Sequence, residues 1–256
     1  MCHSTVDDSA ASGIGARLDG HPNRTLDPGL IISLSPHFDD KADLRSQLAS
    51  WGPGFYDPYW NHDGISAPVL IPPAYGLRDV ALETYTGEGP VSYWNAYVAV
   101  TQMGGQGTFV SEELGIDIQN DPDLVTPKLP ALREYQFTLM PPEADPTSYD
   151  GVAALRGELL FTTTAGCVGC HSGTGFTDAP TLHTAAEVGQ SPAYAERGTT
   201  GMYRATPLRG VSSHPPYFHD GSAGTLDEVV AHYDAQFTLG LSVTDKADLV
   251  AYLSSL

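Results

Sequence analysis

The sequence predicts a mainly α-helical, loop-rich protein of two domains with little β-structure. Three observations point to this fold class. Apolar residues recur at helical spacing on both sides of a cysteine pair, the 256 residues include 27 glycines and 20 prolines, and the two halves of the chain weakly echo each other. We place the first domain at residues 1–140, a linker at 141–148 and the second domain at 149–256.

The charge of the chain limits the kinds of partner it can bind. There are 31 acidic and 12 basic residues, and the formal net charge is −19. Nucleic acid and anionic membranes are therefore poor partners, because both are negatively charged. No apolar run approaches the roughly 20 residues of a membrane-spanning helix, and the N-terminus lacks the basic and apolar regions of a signal peptide. We expect no membrane span and soluble partners.

One short motif carries the most specific chemistry, and it reads Cys167-Val168-Gly169-Cys170-His171. Two thiols at this spacing reach both vinyl groups of one haem, and the histidine that follows is placed to bind the iron. A thioredoxin-like pair would need a helix starting at the first cysteine, whereas Ser172–Gly175 predict a loop. A zinc knuckle would need a second ligand pair close by in the sequence. The motif therefore predicts covalently attached haem c, with His171 as an axial ligand.

Two predicted helices bracket this motif. The first precedes it, and its apolar residues recur at helical spacing: Val152, Leu155 and Leu159, followed by Phe161. The second closes the chain, with Thr244 as its predicted N-cap and an apolar face of Leu249, Val250, Leu253 and Leu256. The arrangement resembles the cytochrome c fold, in which the first and last helices cross where a glycine receives an aromatic ring. Gly157 and Tyr252 are the matching pair, since only glycine permits so close an approach.

The segments between these helices match a known family in the right order. Tyr203–Val211, Pro215–Ser222 and Thr225–Tyr233 resemble the C-terminal haem domain of bacterial di-haem cytochrome c peroxidases and their MauG-type relatives. The resemblance implies cytochrome c-like helical haem domains. It also implies that Arg209 lies near the haem propionates, a role suited to a planar guanidinium. A surface position for Arg209 is the alternative.

The resemblance also concerns the sixth iron ligand. Thr225 and Glu228 form a capping box that predicts a helix start. Toward the end of this helix the peroxidases carry an iron-binding methionine, and MauG-type proteins carry a tyrosine. Tyr233 stands at that place, which favours it over Met202, while His232 ranks behind both. A tyrosine ligand lowers the reduction potential, whereas a methionine raises it and suits an electron carrier.

The chain begins with Met1-Cys2-His3-Ser4, which reads like the end of a second haem motif cut inside the motif. A chance Cys-His pair is the alternative. The two halves also share a leucine-arginine-x-valine step that is followed by an aromatic pair. The matching segments are Pro72–Val80 with Pro90–Asn95, and Thr206–Val211 with Tyr217–His219. The echo predicts one haem per half, and a longer precursor would supply the missing cysteine and the export signal.

In this interpretation Cys2 is the thioether of the first haem and His3 is its iron ligand. Arg78 would then lie near the propionates of that haem, and Met103 is the predicted sixth ligand. His21 and His37 are rival ligands, and a core position for Met103 is a further alternative. By the resemblance, Trp94 corresponds to an aromatic residue between the two haems of the peroxidases, although it could also be a core residue.

Two functional hypotheses follow. In the first, the chain is a periplasmic electron carrier with a soluble redox partner, since covalent haem is attached outside the bacterial cytoplasm. In the second, it is a peroxidase or MauG-like enzyme that acts on hydrogen peroxide. The first is slightly favoured, because the available acid–base and amide side chains fall in no matching motif: Gln102, Gln106, Glu112 and Glu113. Tyr233 points to the second hypothesis, and no catalytic residue is assigned.

Overall fold

The computed structural model describes residues 2–256, so Met1 lies outside the described residues. Two compact units are present. The first runs to Tyr75 and also includes Phe218–Ser222, and the second contains Gly76–Tyr217 and Ala223–Leu256. Residues 76–140 thus belong to the same compact unit as the CxxCH motif. The domain boundary at residues 141–148 stays a prediction.

The predicted mainly helical class with long loops is confirmed. Within residues 2–256 the α-helices are α1 Pro28–Ser33, α2 Ala42–Ala49, α3 Val91–Tyr97, α4 Leu129–Thr138, α5 Gly151–Thr162, α6 Ala185–Val188, α7 Pro192–Ala195, α8 Leu226–Phe237 and α9 Val243–Ser254. A π-helical turn at Val98–Gln102 continues α3. No helix among the described residues combines the length and apolar character that a membrane crossing requires.

The strands are two or three residues long and form antiparallel pairs. They are β1 Ser4–Val6 with β2 Arg17–Asp19, β3 Phe55–Tyr56 with β4 Val69–Leu70, β5 Phe109–Ser111 with β6 Ile116–Ile118, and β7 Leu182–His183 with β8 Tyr203–Arg204. In the last pair Leu182 is in register with Arg204, and His183 with Tyr203. These short ladders fix loops and contribute no continuous sheet.

The crossing of α5 and α9 is the main packing contact around the CxxCH motif. A Cβ atom on Gly157 would lie 2.0 Å from the carbonyl oxygen of Asp248 and 2.8 Å from the Cβ of Tyr252. Only glycine fits this contact, which confirms the predicted Gly157–Tyr252 pair. Arg156 spans the crossing and donates to both carboxylate oxygens of the buried Asp248, at 2.6 and 2.7 Å.

The predicted helix before the motif is present as α5, and its buried face excludes the residues at helical spacing. Val152, Leu155 and Leu159 are 65%, 68% and 64% exposed. The helix instead buries its opposite face, which consists of Ala154, Gly157 and Phe161. The reason is the close approach of α9, because a small residue at the contact point decides which side of the helix can meet another backbone.

Helices α8 and α9 begin at residues whose side chains cap the first helical turn. Thr225 and Glu228 form the predicted capping box of α8. α9 begins earlier than predicted, since Ser242 rather than Thr244 is its N-cap and accepts a hydrogen bond from the amide of Asp245. The carboxylate of Asp245 bonds the Ser242 amide in return, which completes a capping box that outcompetes Thr244.

Each unit has its own apolar core. In the first unit Phe38, Leu48 and Trp51 are buried together. In the second, α3 and its π-helical turn pack against β5 and the following loop through Ala96, Tyr97, Val100, Phe109 and Leu114. α4 ends at Thr138, just before the predicted linker at residues 141–148.

Candidate haem-binding site

The CxxCH motif forms one tight turn after α5. Cys167–Gly169 is a single turn of 3₁₀ helix, and Gly166 enters it with φ 64°, a conformation that favours glycine. The backbone carbonyl of Cys167 accepts hydrogen bonds from the amides of Cys170 at 3.2 Å and His171 at 2.9 Å. None of the cysteines in the described chain forms a disulfide. One short turn therefore carries two free thiols and an imidazole.

The ring of His171 has a defined orientation. Its Nδ1 lies 3.0 Å from the carbonyl oxygen of Phe176, which can only accept, so Nδ1 carries the proton. Burial lowers the pKa of His171, although the carbonyls of Phe176 and Thr206 partly oppose this, and the ring is neutral at neutral pH. A neutral imidazole protonated at Nδ1 presents the lone pair of Nε2. This is the arrangement of a metal-binding histidine with its supporting carbonyl.

A chain of aromatic rings connects His171 to the helix crossing. Phe176, whose carbonyl orients His171, has φ 53° and its ring lies 6.3 Å from that of Phe161 on α5. The Phe161 ring in turn lies 5.2 Å from that of Tyr252 on α9. The position of the imidazole therefore depends on the packing of both bracketing helices.

Tyr233 lies on α8 close to the two thiols of the motif. Burial raises the pKa of Tyr233 to about 12, and the sulfur atoms of Cys170 and Cys167 are near enough to add to the increase. Its ring stacks on that of Phe237 at a centroid distance of 5.9 Å. The surroundings of Tyr233 therefore include both cysteines of the motif.

The two rivals of Tyr233 have other surroundings. Met202 lies in the loop before β8, is 37% exposed, and its amide donates to the hydroxyl of Thr200. His232 is adjacent to Tyr233 on α8, but its Nε2 lies 3.0 Å from the carbonyl oxygen of Val188. That bond ties α8 to the end of α6. It gives His232 a structural task that differs from iron binding.

The two predicted propionate-binding arginines are both near aromatic rings. Arg209 is exposed, its guanidinium lies 5.6 Å from the ring centre of Phe176, and its Nε donates to the carbonyl of Thr174. It is thereby held beside the segment that follows the motif. Arg78 lies 5.6 Å from the ring centre of Phe137 on α4.

Two pairs of ionisable side chains near this site could not be predicted from the sequence. Nε2 of His183 lies 3.0 Å from a carboxylate oxygen of Asp178, beside Cys170. Glu83 and Arg204 are a buried pair at 3.7 Å, in which Glu83 Oε1 and Arg204 Nε have no hydrogen-bond partner. Burial raises the pKa of Glu83 to about 7, against the opposing effect of Arg204. Only the loop position of Asp178 and His183 after the motif was visible in the sequence.

The Cys2–His3 segment lies at the start of β1 in the first unit. The Nδ1 of His3 lies 2.8 Å from the carbonyl oxygen of Pro72, an arrangement like that of His171. The backbone is fixed by the amide of Gly20, which donates to His3 at 2.9 Å, and by that of Asn23, which donates to Cys2 at 2.8 Å. Burial raises the pKa of the Cys2 thiol.

The other residues predicted for a first haem belong to both compact units. His21 packs edge-on against Tyr75, with ring centres 5.1 Å apart. His37 lies at the surface, 3.0 Å from Nζ of Lys41. Arg78, Trp94 and Met103 all belong to the second compact unit, whereas Cys2 and His3 belong to the first. Met103 is 78% exposed.

The candidate acid–base and amide residues make local contacts in the second unit. Gln106 donates to the carbonyl of Pro122 at 3.1 Å, and Glu113 accepts from the hydroxyl of Ser111 at 3.1 Å. The amide side chain of Gln102 is bonded to the Tyr97 hydroxyl. These contacts give three of the four candidate side chains a structural partner and assign no catalytic role.

Comparison with known proteins identifies relatives whose sequences match part of this chain. The chain is 32% identical to the methylamine utilization protein MauG of Methylorubrum extorquens, over 49% of this chain and 42% of MauG. It is 29% identical to the cytochrome-c peroxidase IdrP1 of Denitromonas iodatirespirans, over 40% of each chain. The chain is related to the di-haem cytochrome c peroxidase and MauG family. The match spans about two fifths of the length of each of these relatives.

Solved structures agree with this family relationship at the level of fold. A MauG-like protein associated with microbial copper homeostasis superposes with a TM-score of 0.50 at 20% identity, covering 80% of this chain and 78% of the other. Hydrazine synthase of Kuenenia stuttgartiensis gives a TM-score of 0.50 at 21% identity, covering 79% and 75%. No family model matches the sequence.

Proposed function

We propose that the chain is a c-type haem redox protein in which Cys167 and Cys170 form the two thioethers and His171 binds the iron. The orientation of His171 carries this proposal, because Nδ1 is bonded to the Phe176 carbonyl and Nε2 is left as the ligand nitrogen. Two unpaired thiols lie in the same turn. Two free thiols and one oriented imidazole are the side chains that a covalently bound haem requires. A bound haem supplies one-electron redox chemistry at its iron.

Tyr233 is the proposed sixth ligand. Its hydroxyl lies near both thiols, and its raised pKa means that it keeps its proton until a cation is bound. A phenolate ligand favours the oxidised iron. This supports a peroxidase or MauG-like oxidoreductase, with hydrogen peroxide as the oxidant and a soluble redox protein as electron donor. Arg209, held beside Phe176, would face the propionates.

A simple electron carrier is the second candidate, and Met202 is the observation that favours it. The side chain of Met202 is partly exposed and lies in the loop before β8. A thioether ligand would raise the potential and suit a carrier. The two candidates thus differ in which side chain occupies one coordination position.

A second haem at Cys2 and His3 is part of the proposal. The bond from His3 to the Pro72 carbonyl supports it, since it presents the ring in the same way as His171. Arg78 and Met103 remain the proposed propionate partner and sixth ligand. Trp94 remains the proposed aromatic residue between the haems. Because covalent haem is attached outside the bacterial cytoplasm, we place the protein in the periplasm.

Substitution of the sixth ligand tests this proposal. In the matured protein, Tyr233→Phe is expected to change the ferric absorption and EPR spectra, to raise the reduction potential, and to lower peroxide consumption with a reduced c-type donor. Met202→Ala serves as the matched control and should leave all of these readouts unchanged. A methionine-to-iron charge-transfer band that is lost in Met202→Ala would instead establish the carrier.

A further inference from the structure

Three potential metal-binding atoms converge beside the haem-binding turn. A sulfur of Cys170, a carboxylate oxygen of Asp178 and a ring nitrogen of His183 all lie within 4.8 Å of one another. The side chains of His183 and Asp178 are only 14% and 15% exposed, and Nε2 of His183 is 3.0 Å from the carboxylate. A zinc knuckle would need a second ligand pair close by in the sequence. Folding supplies a carboxylate and an imidazole instead.

The donor set suits a zinc-like divalent ion. Thiolate, imidazole and carboxylate are the three side-chain ligands that zinc uses, at about 2.0–2.3 Å, so tetrahedral ligands lie roughly 3.3–3.8 Å apart. The observed spread of at most 4.8 Å needs only small side-chain movements to reach this geometry. Three protein ligands leave a fourth position for water.

The ligands are held by ordered backbone. His183 ends β7 and pairs with Tyr203 of β8. The segment around Asp178 is fixed by Thr177, whose hydroxyl donates to the carbonyl of Ala205 at 2.6 Å and accepts from the amide of Ala179 at 3.2 Å. A site with fixed ligands loses little entropy when it binds an ion.

The charge around Cys170 also favours a cation. The carboxylates of Asp178 and Glu187 both act electrostatically on the sulfur of Cys170. Glu187 is itself anchored in the capping box of α6 with Thr184. Negative charge around the three ligand atoms attracts a divalent ion.

We propose that the haem-free chain binds a zinc-like divalent ion at Cys170, Asp178 and His183, and that this ion and haem exclude each other at Cys170. On metal binding, the thiol releases its proton to water and the sulfur binds the ion. On haem attachment, the ion returns to solvent, the sulfur takes back a proton from water, and the S–H adds across a vinyl double bond, so that one C–S and one C–H bond form. The exclusion rests on the proposed haem attachment, whereas the metal site does not.

Cobalt(II) titration of the full chain, prepared without haem and with reduced thiols, tests the site. We expect a thiolate-to-cobalt charge-transfer band that saturates at one equivalent and is displaced by zinc(II). Cys170→Ala should abolish the band, and Asp178→Asn and His183→Ala should each weaken binding at least tenfold. The matched control is Cys167→Ala, which removes the neighbouring thiol and should keep the band. Circular dichroism verifies that each variant is folded.

The opposite pattern would overturn the site. If Cys167→Ala loses the band, or if both Asp178→Asn and His183→Ala bind cobalt as tightly as the native chain, the metal is held by the thiol pair alone. A second measurement follows thioether formation with added haem. Zinc(II) should slow it in the native chain and not in Asp178→Asn. Equal rates with and without zinc would refute the exclusion, and absence of attachment in the zinc-free sample would instead refute the proposed function.

Discussion

The two Cys–His segments of the chain present their histidines in the same way. His3 bonds Nδ1 to the carbonyl of Pro72 at 2.8 Å, and His171 bonds Nδ1 to that of Phe176 at 3.0 Å. Both rings are therefore oriented by a backbone acceptor, and the other nitrogen of each ring is the proposed iron ligand. The two segments differ in how that geometry is supported.

The support of His171 is long-range, and that of His3 is backbone pairing. A ring chain through Phe176 and Phe161 connects His171 to helices α5 and α9. The Cys2–His3 backbone is held instead by hydrogen bonds from the amides of Asn23 and Gly20, and the β1–β2 ladder follows directly. The comparison shows that one ligand geometry can rest on different packing. The two sites should therefore respond to different substitutions.

Removing each histidine gives the largest expected effect. His171→Ala should eliminate the haem at the CxxCH motif, since no ligand nitrogen remains there, while His3→Ala should eliminate only the proposed first haem. Haem per protein, measured by pyridine haemochrome, should fall by one in each single variant and by two in the double variant. The surface residue His37 supplies the control His37→Ala. An unchanged haem count in His3→Ala would show that His3 does not bind a haem as His171 is proposed to do.

The buried Glu83–Arg204 pair should make the free energy of unfolding depend on pH in the compact unit that contains His171. Because the pKa of Glu83 rises from 4.5 to about 7, the folded chain keeps a proton that the unfolded chain loses between these values. Stability should fall by up to about 3 kcal/mol as the pH rises across this window. Burial lowers the pKa of His171, which contributes in the opposite direction over this range. The effect of Glu83 is therefore measured as a difference: in urea unfolding, the stability of the native chain relative to Glu83→Gln should fall as the pH rises from 4.5 to 8. Equal profiles would contradict the assignment.

The helix crossing gives a smaller effect. Gly157→Ala places a Cβ atom against the Asp248 carbonyl and Tyr252, and should cost about 1–3 kcal/mol of unfolding free energy. The environment of His171 should change with it, as seen in the haem absorption. Gly151→Ala, at the start of the same helix, is the matched control, because nothing lies within 4 Å of its Cβ position. Similar losses in both variants would show that the crossing is not the cause.

The cap of α9 gives the smallest effect. Ser242→Ala should cost about 1 kcal/mol, because the amide of Asp245 loses its acceptor. Thr244→Ala, two residues later and inside the helix, should leave stability nearly unchanged or slightly raised. Urea midpoints distinguish the two, and a larger loss in Thr244→Ala would reinstate the cap predicted from the sequence.

The sequence predicted features that depend on local chemistry. The haem motif, the α8 capping box and the Gly157–Tyr252 contact follow from residue types at fixed spacing. Helical spacing did not decide which side of α5 is buried, because apolar residues occupy both Val152–Leu159 and the opposite face. The glycine that permits close approach decides it.

Residue pairs that only folding brings together could not be predicted from the sequence. Glu83 and Arg204 are 121 positions apart, and Asp178 and His183 meet Cys170 only because the β7–β8 ladder folds the loop back. Nothing in the spacing of these residues indicates that they meet. The same limit applies to Pro72, whose carbonyl orients His3 from a distant segment.

Peptide mass spectrometry of the matured protein tests the central claim most directly. Trypsin cleaves after Arg156 and Arg197, and the peptide between them holds Cys167, Cys170 and His171. We predict that this peptide carries the mass of one haem joined by two thioethers. Unmodified thiols at Cys167 and Cys170 in the matured protein would contradict the account.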